Sequence, residues 1–130
     1  MSENNKKEVR VNVWKVGYTN MEDYKNNNKN NAVCKQQGYV KVNLEELWEE
    51  EVWRLLNWGA YSTKKPKNVY SDITHCNSDV IFHIKGTDEW LYAKSIGFGH
   101  ATSLKDAIEQ MKKDTLSQFW AFPEAKGIKR

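Results

Sequence analysis

Residues 79–116 read DVIFHIKGTDEWLYAKSIGFGHATSLKDAIEQMKKDTL, and the pattern of this stretch decides the fold. Val80, Phe82 and Ile84 alternate with Ile81, His83 and Lys85, so one face of a strand is wholly apolar and the other mixed. Gly86-Thr87-Asp88 supplies a turn in which Gly86 is free to take positive φ. Trp90, Tyr92, Lys94 and Ile96 then alternate with Leu91, Ala93 and Ser95, and two such runs across a short glycine-containing turn predict a β-hairpin. Gly97 and Gly99 end the second strand. Ser103 offers an N-cap, with Asp106 at the capping-box position. Leu104, Ala107, Ile108, Met111 and Thr115 follow at helical spacing, which predicts an amphipathic helix lying on a sheet.

Upstream, residues 8–18 alternate as a strand with Val9, Val11 and Val13 on one side. At Trp14 the apolar positions change parity to Trp14, Val16 and Tyr18, which predicts a bulge or a strand crossing the sheet edge. Residues 19–37 read as a mobile Asn/Lys-rich loop, with a fragile helix the most that NMEDYKNNNKNN supports. Val40 and Val42 mark a short strand over 39–43. Asn43, with Glu46 three residues on, caps a helix over 44–58 that Gly59 ends. At 100° per residue, Leu44, Leu47, Trp48, Val52, Leu55 and Trp58 share one face of that helix. Glu45, Glu46, Glu49 and Glu50 fall opposite, with Trp53 among them. A basic loop around Pro66 leads to a further strand over 69–74, and residues 116–122 either lengthen the last helix or add an edge strand. Residues 1–7 are expected to be disordered and 123–130 to form a loose tail. The whole predicts one α+β domain over 8–122, a mostly antiparallel sheet of about five strands covered by two amphipathic helices.

The chain has 130 residues, enough for one domain, and its six Trp, six Tyr and four Phe fill a core despite an apolar share of 39%. No apolar run approaches the ~18 residues of a membrane span. The start, MSENNKKE, has no apolar signal-peptide core, and two cysteines fit a reduced, cytoplasmic protein. A net charge of +3 demands no nucleic-acid partner. Lysine outnumbers arginine 17 to 3 beside 13 asparagines, a bias of AT-rich coding that suggests a phage, mobile element or low-GC bacterium. Scarce arginine weighs against bidentate base readout.

Cys34, His75, Cys76, His83 and His100 contain no paired ligands at zinc spacing, so no metal is expected. Cys76 with His83 or His100 forms a nucleophile pair only if the fold brings them together. Gly97-Phe98-Gly99 lacks the third glycine of a dinucleotide fingerprint, with Thr102 in its place, and no cofactor is implied. The least ordinary feature is the acidic helix side. Glu45, Glu46, Glu49, Glu50 and Trp53 predict a non-enzymatic interaction module that binds, and inhibits, a basic nucleic-acid-handling protein. The alternative is a small nucleic-acid-binding domain that uses Lys64, Lys65 and Lys67, with Lys112 and Lys113.

Overall fold

The structure, a computed structural model, describes residues 8–127; the expectations for residues 1–7 and 128–130 lie outside the described residues. Its axis is β1 (Glu8–Tyr18), which pairs antiparallel with β2 (Val33–Asn43) on one side and β4 (Val80–Ile84) on the other. β3 (Val69–Tyr70) extends the sheet past β2; β5 (Trp90–Ala93) and β6 (Phe98–Ala101) extend it past β4. The order is β3-β2-β1-β4-β5-β6, and β7 (Trp120–Ala121) joins the end of β1 in parallel. Among the described residues three α-helices accompany the sheet: α1 (Met21–Asn26), α2 (Trp48–Leu56) and α3 (Leu104–Lys113). No helix among the described residues is long and apolar enough to cross a membrane.

The two longer helices lie on opposite faces. Val52, Leu55 and Leu56 of α2 pack with Val11, Val13, Val40, Val42, Val80, Phe82 and Ile84. Ala107 and Met111 of α3 pack with Val16, Tyr18, Ile81 and Phe119. This arrangement explains the parity change in β1. Its pairing with β4 runs without interruption from Val11 to Lys15, so odd residues keep facing α2 and even ones α3. What changes along β1 is which face is covered, not which way side chains point. The irregularity belongs to β2, where Gln37 and Gly38 together oppose Val13 between the Asn12–Tyr39 and Trp14–Gln36 pairs. Gly38 has φ +89°, and a Cβ there would run into the carbonyl oxygen of Tyr70, so the bulge requires glycine.

Several boundaries differ from the sequence expectations. Val33–Gln37, expected within the loop, are strand residues, of which Val33, Cys34, Lys35 and Gln36 pair with β1. Before them, Asn20 caps α1 by accepting from the amides of Glu22 and Asp23, and Asn27 ends it in the left-handed region. The helix expected from residue 44 begins at Trp48, because Glu45–Trp48 close a turn and Leu47 takes φ +64°. Asn43 therefore ends β2 instead of capping a helix. The expected strand over 69–74 shrinks to two residues, and Phe98–Ala101 pair with β5 where the glycines were expected only to end a strand. Ser103 does cap α3, accepting from the Asp106 amide at 3.0 Å. Residues 123–127, expected as a loose tail, form consecutive hydrogen-bonded turns, and Glu124 pairs with Lys35.

Candidate functional site

The turn before α2 and the helix itself line a groove of about 830 Å³. Val42, Trp48 and Phe98 give it apolar walls. Around them stand Glu8, Glu45, Glu46, Glu50 and Glu51, against the cations Lys41 and Arg54. Arg54 is held by Glu51 through two bonds, Nε to Oε1 at 3.1 Å and Nη2 to Oε2 at 2.8 Å, and this carboxylate raises the guanidinium pKa further. Among the described residues neither Glu46 nor Glu50 forms an ion pair. The groove is thus acidic through Glu46 and Glu50.

Two large apolar side chains project into this acidic surround. Trp53 is 37% exposed and Leu47 is 56% exposed. Leu47 is the more unusual, because a left-handed backbone costs a non-glycine residue on the order of 1 kcal/mol and here the side chain is not buried in return. A second hollow of about 640 Å³ shares Glu50, Trp53 and Phe98 and continues to Leu116, which is largely exposed. The apolar surface therefore runs from Leu47 through Trp53 towards Leu116.

Of the acidic residues read from the sequence, Glu45, Glu46 and Glu50 share the groove with Trp53, while Glu49 is half-buried and outside it. Glu45 and Glu46 sit on the turn before the helix, so the acidic surface is made by a turn and a helix together. Leu47, Glu8 and Glu51 were missed. A helical period counted from residue 44 starts too early and sets Leu47 on the apolar face.

The two lysine groups do not meet. Lys64, Lys65 and Lys67 lie in the loop before β3 at one edge of the sheet, and Lys65 Nζ donates to the Ser71 carbonyl at 3.3 Å. Lys112 and Lys113 end α3, which lies over β5 and β6 towards the other edge. Cys76 is buried in the α2-side core, and burial pushes its thiol up to about 12. Its Sγ accepts from Asn57 Nδ2 at 3.2 Å, whereas His83 stacks on Trp90 across the sheet and His100 faces Glu89. The Cys/His pair is not assembled. No cluster of three or more His, Cys, Asp or Glu with metal-holding geometry occurs among the described residues. No protein-family model, curated protein or solved structure matches the chain.

Proposed function

We propose that the protein is a non-enzymatic interaction module that binds a basic, nucleic-acid-handling protein through the groove before and along α2. The observation that carries this reading is the exposure of Trp53 and Leu47 within a rim of carboxylates. Tryptophan supplies large contact area with little rotamer entropy lost, and its desolvation is what makes it a frequent interface hot spot. Glu45, Glu46 and Glu50 orient a lysine- or arginine-rich partner and exclude acidic ones. The same carboxylates, spaced along a turn and a helix, stand in for phosphates, so occupation of a nucleic-acid site is the mode of inhibition.

The test compares wild-type protein with Trp53→Ala and with Glu50→Lys, each immobilised and exposed to lysate of the source cells. The expected result is enrichment of basic nucleic-acid-handling proteins by wild type. Trp53→Ala is expected to weaken that binding about 30-fold, the weight of a ~2 kcal/mol hot spot. Glu50→Lys should slow association and flatten its salt dependence. Enrichment unchanged in both variants removes this surface from the function.

A further inference from the structure

The face of the sheet that carries α3 is only partly covered. α3 lies over β5 and β6. The strand registers align Tyr70, Tyr39, Asn12, His83 and Trp90 in one row across β3, β2, β1, β4 and β5, and the Trp90 end of the row packs against the core under α3. Tyr70 is exposed and the other four are half-buried. Tyr39 and Tyr70 stack at 4.7 Å between centroids, 13° from parallel. His83 and Trp90 stack at 3.9 Å and 14°, and the His83 ring is fixed by its Nε2 contact with the Thr87 carbonyl at 2.7 Å.

The neighbouring row on the same face is cationic. Arg10 pairs with Lys41, and Lys85, on the turn that follows β4, donates its amide to the Arg10 carbonyl beside them. The Arg10 guanidinium lies 3.8 Å from the Tyr39 ring centroid, and Lys41 Nζ lies 5.3 Å from that of Tyr70. A line of flat rings beside a line of cations, on an open sheet, is complementary to bases beside phosphates.

We propose that this face binds single-stranded nucleic acid, with one base stacking on the exposed Tyr70 ring, a second meeting the His83–Trp90 pair, and phosphates meeting Arg10, Lys41 and Lys85. Stacking accepts any base because every base has a π-face, so the site reads strandedness more than sequence. Duplex is disfavoured, since its bases are already stacked and the rings stand on a surface, not in a groove-filling element. The scarcity of arginine fits such a site, which needs no bidentate readout. The site is independent of the α2 groove except at Lys41, which borders both.

The experiment measures fluorescence anisotropy of a labelled oligothymidylate of about 12 nucleotides at about 50 mM salt, with a matched duplex as competitor. Tyr70 and Lys85 are exposed and line neither groove wall, so Tyr70→Ala and Lys85→Glu test this face alone. The expected results are binding of the single strand and a log–log salt slope of about −2 from three phosphate contacts. Tyr70→Ala is expected to lose at least about 5-fold in affinity, the weight of one stacked base. Lys85→Glu should weaken binding and reduce the salt slope, while Lys64→Glu and Lys112→Glu leave it unchanged. The proposal is overturned by no binding at this salt, by equal competition from duplex, or by loss confined to the Lys64 and Lys112 variants. A fold defect in Tyr70→Ala leaves Lys85→Glu, on a turn, to decide.

Discussion

Lys15 occupies a position of β1 where alternation calls for an apolar side chain, and it is 3% exposed. Its Nζ meets Asp79 Oδ2 at 3.0 Å, donates to the His75 carbonyl at 3.3 Å, and lies 4.0 Å from the Trp120 ring centroid. Asp79 uses its other oxygen to accept from the Asn77 amide at 3.0 Å. Both charges are thus enclosed and satisfied, an arrangement in which removing one partner costs more than the pair contributes. Asp79→Ala is expected to destabilise the fold by about 3–5 kcal/mol, since Lys15 is left buried and unpaired. Lys15→Met/Asp79→Ala should lose less than the sum of the two single changes, measured as a double-mutant cycle in urea. Strict additivity would show that the two groups do not interact. Sequence reading marks only the parity change at Trp14, one residue before Lys15, and assigns the lysine no partner. The distant carboxylate that makes a buried lysine tolerable is a tertiary fact, and nothing in the spacing announces it.

Among the elements, those with local chemistry were legible. The Gly86 turn and the Ser103 cap sit where their residue types require, and the hairpin and α3 follow from them. α2 was misplaced for a physical reason. Asn43 and Glu46 make a good cap on paper, but β2 continues through Asn43, and the helix waits for Leu47 to turn in the left-handed region. No propensity favours leucine there, so the boundary was invisible. The same oddity gives a sharp prediction. Leu47→Gly removes the side chain from the groove and frees the backbone of its left-handed penalty. It should leave stability in urea unchanged or raise it by up to about 1 kcal/mol, while weakening partner binding. A loss of more than about 1 kcal/mol in folding stability would show instead that Leu47 packs within the fold. Such opposition of stability and binding is characteristic of residues kept for contact with something else.

At the scale of the molecule, one sheet serves two cores, and this also limits what a sequence can disclose. The acidic groove was partly readable because a turn and one helix carry most of it. The aromatic row on the opposite face was not, because Tyr70, Tyr39, His83 and Trp90 become neighbours only through four separate strand registers. Those registers also fix how the molecule unfolds. β4 gives Phe82 and Ile84 to the core under α2, and Ile81 to the core under α3, with β1 divided in the same way. Neither core can open while the other keeps both strands in place, so the domain should unfold as one unit. Ile81→Val tests this, because its side chain touches only the α3-side core and its removal of one methylene costs about 0.5–1.5 kcal/mol. Native-state hydrogen exchange should show the Met111 amide of α3 and the Leu56 amide of α2 losing protection by the same amount. Loss confined to α3 would mean that the two faces open separately, with the sheet acting as a partition between two foldons.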